Sequence, residues 1–388
     1  MFNSSVNRWN AAAMGPRRDL VREMQHAARE AGLAFGVSSH RAYNWRFFSY
    51  REDFDTWPAS AADLYSPRHG AEEPPSAEWL EDWFARTAEL IDYFTPELLW
   101  FDWGWHWPEF ASYRPRVASY FYNRAAAAGV EPVLNYKDKF PDGSAVWDIE
   151  RGKAKSIRRV PWQTDTSVSV SSWGFVEGKT DYKSPTSLVH DLADIVSKNG
   201  NLLLNVGPKA DGTFPAEAVS ILEAIGAWLA TNGEAIYATR PWRCFGEGPA
   251  RVVQGQMTER QSSGFGPGDL RYTASKNQSL LFALLLSWPR GGRLTLRSLS
   301  TAETVVSVRL LCDEATGERQ VWQRTRAGAL ELQLPATPPS HCSHAFVLRL
   351  QLTAPPAHPT FRDGAETASR EPHVAMPPGS TVNEACLV

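Results

Sequence analysis

Up to Pro241, apolar residues recur at two spacings. Arg17–Gly32 sets Leu20, Met24 and Ala27 or Ala28 at helical intervals and stops on Gly32. Glu78–Tyr93 carries Trp79, Trp83, Leu90 and Ile91 along one stripe. Arg116–Ala128, Thr186–Lys198 and Pro215–Thr231 read as helices in the same way. Between them lie short apolar runs without alternation: Leu33–Val37, Leu98–Asp102, Val133–Asn135 and Asn201–Val206. A strand that is apolar on both faces belongs in a parallel sheet covered by helices. The repeated order of strand, helix and strand predicts an α/β fold. A (β/α)8-type TIM barrel is the natural candidate, because its functional groups sit where strands open into loops. Only five or six strand-like segments precede Pro241, so either further strands hide in irregular stretches or the barrel is incomplete at its N-terminus.

From about residue 243 the pattern changes to short strands separated by turn residues: Asp269–Thr273, Ser279–Trp288, Arg293–Leu299, Val305–Cys312, Ala329–Leu334 and Ala345–Leu352. This predicts a β-sandwich over 243–352, after a partial barrel over 1–242. From Thr353 the chain is rich in Pro, Ala, Gly and Ser without periodicity, so 353–388 is expected to be a disordered tail.

Composition narrows the function. The chain of 388 residues has a formal charge of −3, which offers no basic field for nucleic acid. The longest apolar runs fall far short of the ~20 residues that span a bilayer, so no membrane span is expected. Met1–Trp9 has neither the charged start nor the apolar stretch of a signal peptide. Cys244, Cys312, Cys342 and Cys386 are scattered, without zinc spacing, so neither a structural metal nor a disulfide framework is expected. Sixteen Trp is a large share, and Trp100, Trp103, Trp105 and Trp107 fall together. Such residues usually fill a core, but beside Asp102, His106 and Glu109 they fit a sugar pocket.

Asp102 ends an apolar strand and is followed by a Gly and three indoles. A carboxylate at the C-terminal end of a barrel strand suits attack on an oxocarbenium-like sugar centre; the alternative is a helix cap. Glycosidases need a second carboxyl. In Ala145-Val-Trp-Asp-Ile-Glu-Arg-Gly152, Glu150 is the candidate general acid, with an ion pair to Arg151 or Lys153 as its structural alternative. Asp148 and the acidic residues of Arg51–Asp55 are the competing candidates. His40 follows a strand and offers a donor to a sugar hydroxyl, and Trp45, Trp103 and Trp105 offer ring faces. Lys137 follows another strand, where it suits bonding a hydroxyl or holding a carboxylate. Ser171-Ser-Trp-Gly174 supplies hydroxyls and Trp173. Gly207–Gly212 lacks the ending of a phosphate loop and reads as a strand-to-helix turn.

Several segments resemble glycoside hydrolase family 29, the α-L-fucosidases. The most specific is Ser197-Lys-Asn-Gly-Asn-Leu-Leu-Leu-Asn-Val-Gly-Pro-Lys-Ala-Asp-Gly-Thr213, followed by Trp228, Asn232–Tyr237 and Thr239-Arg-Pro-Trp242. Leu99–Trp105 resembles the family's nucleophile segment, Ser171–Gly174 a second pocket segment, and Asp269–Thr273 with Leu286–Pro289 the C-terminal sandwich. The resemblance covers about residues 1–352. It implies retaining hydrolysis of terminal α-linked L-fucose from glycans, without metal or organic cofactor, with Asp102 as the nucleophile and Trp173 as a pocket aromatic. It implies a fucosylated glycan as partner and a secreted, periplasmic or lysosomal setting. Tyr43 stands where close relatives hold an acidic residue. The family's His-His-Asp-Gly-Phe motif, which holds the fucose ring, is missing, and Met1–Trp9 resembles the stretch just after it. The first barrel strands are therefore expected to be absent. The chain alone is expected to be poorly soluble and weakly active, or a remnant that binds sugar without hydrolysing it.

Overall fold

The computed structural model describes residues 1–316 and 320–353. Of the expected tail, only Thr353 falls among them. The chain divides into two compact units, Met1–Asp148 and Ile149 onward.

In the first unit, α1 (Leu20–Glu30), β1 (Gly36–Ser39), α2 (Arg41–Phe47), α3 (Ala77–Phe94), β2 (Leu98–Phe101), α4 (Tyr113–Ala128), β3 (Val133–Tyr136) and β4 (Val146–Asp148) follow in order. The four strands are parallel and pair in chain sequence. Leu99, Phe101, Leu134 and Tyr136 turn to one side of the sheet and pack with Trp83 and Ile91 of α3 and Phe121 of α4. Ser76 caps α3 through its hydroxyl, and Thr95 ends it in the left-handed conformation. The helix predicted at 17–32 is present as α1, but its expected apolar stripe is not what packs. Met24 stays exposed, while Gln25 is buried and donates to the Phe94 carbonyl. The end of α3 offers an unsatisfied carbonyl there, so a polar side chain is the better fit. The strand expected at Leu33–Val37 forms later, at Gly36–Ser39, and the sequence reading missed α2 altogether.

The second unit holds β5 (Trp162–Ser167), α5 (Pro185–Ser197), β6 (Gly200–Asn205), α6 (Ala216–Asn232), β7 (Thr239–Glu247), β8 (Leu270–Ser275), β9 (Leu280–Leu285), β10 (Arg293–Leu296), β11 (Val305–Leu310), β12 (Trp322–Arg324), β13 (Leu330–Gln333) and β14 (Phe346–Leu352). β5 and β6 are a parallel pair. The rest is antiparallel: a five-stranded sheet β11-β14-β9-β8-β7 and a three-stranded sheet β10-β13-β12. One face of the larger sheet (Tyr272, Ala283, Leu285, Leu348, Leu350) meets Leu296, Leu330 and Leu332 of the smaller. The other face (Phe282, Leu284, Val347) is covered by Val189 and Ala193 of α5 and Trp228 of α6. Burial on both faces is why β9 reads Leu-Leu-Phe-Ala-Leu-Leu without a polar position. Four parallel strands in the first unit and a parallel pair in the second, with helices between β1 and β3 and between β5 and β6, then two packed antiparallel sheets, fit an incomplete (β/α) barrel followed by a β-sandwich. Among the described residues, no helix is long and apolar enough to cross a membrane.

The cysteine expectation is corrected. Cys312 and Cys342 are joined by a disulfide, with Cα atoms 5.6 Å apart. The fold juxtaposes residues whose sequence spacing carries no pairing signal.

Asp194 of α5 is fully buried between Lys198 (2.8 Å) and Arg271 of β8 (2.6 Å). Burial pushes its carboxyl up, but Lys198, Arg271 and Lys153 overcome this and hold it at about 2. A carboxyl depressed in the folded state stabilises above its unfolded pKa, and that contribution drains away as pH falls towards about 2. Replacing Asp194 with Ala strands two buried cations, so unfolding in denaturant should show a loss of about 3–5 kcal/mol at neutral pH. The difference between variant and parent should shrink in acid.

Candidate active site

Parity and register place the candidate residues. Along β2, Leu99 and Phe101 turn to the helices, so Trp100 and then Asp102 take the opposite face. The pairing Ser38↔Trp100, Trp100↔Asn135 and Asn135↔Val146 runs straight across four strands. Two residues further along each strand come His40, Asp102, Lys137 and Asp148. They form one row at the C-terminal ends of the strands, on the face away from the helices.

The contacts agree with that placement. His40 Nε2 lies 2.9 Å from Asp102 Oδ2. The Trp103 N–H donates to Asp102 Oδ1 at 2.6 Å, and the Asp102 N–H donates to the Ser39 carbonyl. Lys137 Nζ is 2.7 Å from Asp148 Oδ2, and neither side chain has any exposed surface. Burial pushes the Asp102 carboxyl up, but the His40 hydrogen bond, the Lys137 charge and the Trp103 N–H together hold it below the usual carboxylate value. Asp102 is therefore ionised at neutral pH and partly accessible, the state a carboxylate nucleophile requires.

Gly104 makes the loop after Asp102 possible. Its φ is +104°, and a Cβ there would lie 2.7 Å from the Tyr43 nitrogen. Of the indoles around it, Trp103 is half-buried and meets His106 edge to face at 5.5 Å. Two expected ring platforms are core residues instead. Trp105 is fully buried, stacked on Phe101 at 4.4 Å and on Phe140 at 5.5 Å. Trp45 is buried, stacked on His69 at 3.9 Å, and donates its indole N–H to the Glu73 carbonyl. Neither offers a free face to a sugar. Lys137 holds a carboxylate, the second of the two roles its position allows; with no accessible atom it does not reach a hydroxyl.

In the second unit, Glu150 is nearly buried, and its main chain is held on both sides. Its N–H donates to Gln256 Oε1, and its carbonyl accepts from the Met257 N–H at 2.7 Å. Arg151 follows in the left-handed conformation, φ +41°, and donates to the carbonyls of Ser169, Val170 and Ser172. Its guanidinium also lies 4.3 Å from the centroid of the Trp173 ring, which remains about a third exposed. Arg151 thus binds the Trp173 loop to the backbone beside Glu150. The competing acids fare less well. Asp148 is sealed against Lys137, Asp53 pairs with Arg51 on the surface, and Asp55 accepts from Tyr65. A further pair escaped the sequence reading: Lys183 contacts both Glu259 and the Thr166 hydroxyl, which itself donates to Glu259. Thr166 and Glu259 lie 93 positions apart, and no spacing rule connects them. Among the described residues, no group of three His, Cys, Asp or Glu is arranged to hold a metal ion.

The family model for alpha-L-fucosidase matches residues 1–234, and that for the alpha-L-fucosidase C-terminal domain matches residues 266–351. The tissue alpha-L-fucosidase of Homo sapiens is 28% identical over 353 residues, covering 89% of this chain and 67% of the relative. The human plasma alpha-L-fucosidase is 29% identical over 336 residues, covering 84% of this chain and 64% of the relative. The chain thus spans about two thirds of the length of these curated relatives. A crystal structure of Thermotoga maritima alpha-fucosidase, in complex with a mechanism-based inhibitor, superposes with a TM-score of 0.65 at 26% identity. That match covers 90% of this chain and 72% of the other. Strand order, the loop carrying Asp102, the sandwich and both family models agree: the chain belongs to the α-L-fucosidases, glycoside hydrolase family 29.

Proposed function

We propose that this chain hydrolyses terminal α-linked L-fucose from glycans with retention of configuration, using Asp102 as nucleophile and Glu150 as acid/base. The observation that carries the reading is the position and charge of Asp102. It is an ionised carboxylate in the row of strand ends, held by His40 and the Trp103 N–H in a chain of this family. In the first step an Asp102 oxygen attacks the anomeric carbon and forms a fucosyl ester. The bond to the leaving-group oxygen breaks as Glu150 gives that oxygen its proton. In the second step Glu150 takes a proton from water, the hydroxide oxygen bonds to the anomeric carbon, and Asp102 leaves as carboxylate. Lys137 favours the ionised nucleophile through its charge, while Asp148 offsets that charge so that the buried cation is not left alone. His40 holds the carboxylate's direction, and Trp173 supplies an apolar wall for the sugar. Glu150 owes its assignment to its place two residues beyond β4 and to its fixed backbone.

Asp102→Gly should lower turnover of an aryl α-L-fucoside by about 10³-fold or more while the far-ultraviolet dichroism stays unchanged. Parent-like turnover in that variant, or binding of fucose without turnover by the parent, would remove the hydrolase assignment. The depressed Asp102 pKa also fixes a pH effect. Protonating Asp102 abolishes attack, and losing the His40 hydrogen bond raises its pKa. In His40→Ala the acid limb of the kcat/KM profile should therefore move to higher pH, towards the ordinary carboxylate range.

A further inference from the structure

Three residues beyond His40, α2 turns aromatic side chains outward. Tyr43 and Phe47 lie one helical turn apart, with ring centroids 5.9 Å from each other, and are 40% and 65% exposed. Tyr43 also meets the half-buried Trp107, with centroids 5.8 Å apart. Trp107 is fixed from another side by Arg46, whose guanidinium lies 4.3 Å from the ring centroid and pairs with Glu109 at 2.9 Å. The strip is anchored to the reaction centre. The Tyr43 backbone packs against Gly104, two residues past Asp102, so tightly that no Cβ fits between them. Single exposed aromatics are ordinary, but a contiguous strip of them costs solubility and marks a binding surface.

We propose that Tyr43, Phe47 and Trp107 form a stacking platform for the sugar to which fucose is attached, the leaving group of the reaction. This rests on the fucosidase reading, since only then is there a second sugar to place. The Asp102 side chain is only 19% exposed, so on that reading the fucosyl ring lies directly against it and its partner sugar lies beyond, towards solvent. The platform begins there. Flat rings suit the C–H face of a pyranose, and the Tyr43 hydroxyl can bond a hydroxyl at its edge. Both cations beside the strip are engaged, Arg46 with Glu109 and Arg114 with the carbonyls of Trp105 and Trp107, so the surface fits a neutral hexose rather than a sulfated or sialylated one.

The test compares a neutral fucosylated trisaccharide with α-L-fucosyl fluoride, which has no sugar as leaving group. In Tyr43→Ala/Phe47→Ala, kcat/KM for the trisaccharide relative to that for the fluoride should fall about tenfold. Tyr43→Phe should keep most of the ratio. Saturation-transfer NMR should show the unfucosylated disaccharide contacting the parent and lost from the double variant. An unchanged ratio, or disaccharide contact that survives, overturns the platform and leaves the hydrolase intact. If the parent turns over neither substrate, the hydrolase reading falls first, and only then the platform that depends on it.

Discussion

The site is held by the parallel register of four short strands. Each strand supplies only three or four residues, yet their pairing runs straight across, so a single row of positions carries His40, Asp102, Lys137 and Asp148. A parallel sheet with one face against helices leaves its other face to chemistry, and the strand ends are where side chains escape close packing. A slip of one residue would turn Asp102 into the helices and Phe101 out of them. The apolar residues between the row and the helices therefore do more than stabilise. Leu99, Phe101, Leu134 and Tyr136 decide which parity faces the substrate, and through it the environment that keeps the nucleophile charged.

Much of this was legible in the chain itself. Periodicity located five long helices to within a few residues, because apolar residues recur at helical spacing in each and three of them, α1, α3 and α5, begin on a capping Asp or Ser. Asp102 stood out because it ends an apolar strand and opens a Gly-containing aromatic loop. What sequence could not show is which indole is wall and which is core. Trp103 and Trp105 differ by two positions in a loop with a left-handed glycine between them, so strand parity no longer applies; one is half-buried and the other sealed between Phe101 and Phe140. Trp45 failed for a related reason. The short helix α2 was not anticipated, and helical spacing puts Trp45 on the inner side while Tyr43 and Phe47 face outward.

Partnerships between distant residues were equally hidden. Gln25 replaces Met24 as the packing residue of α1 because it meets a carbonyl that α3 leaves open, a requirement set by another element altogether. The buried charges follow the same rule. Lys137 with Asp148, and Asp194 with Lys198 and Arg271, are tolerable in the interior only as balanced sets. The two sets do different work: one biases a reactive carboxylate, while the other ties a barrel-type helix to a strand of the antiparallel sheet.

The bridge between Cys312 and Cys342 has a consequence for how the sandwich responds to its surroundings. It closes a loop of 30 residues, which in a chain-entropy account penalises the unfolded ensemble by about 3–4 kcal/mol. The folded population of that half of the molecule is thereby coupled to the local balance of thiols and oxidants. Where the bridge is reduced, the sandwich has to stand on its apolar contacts, strand ladders and buried ion pairs without it, and the same polypeptide becomes measurably easier to melt.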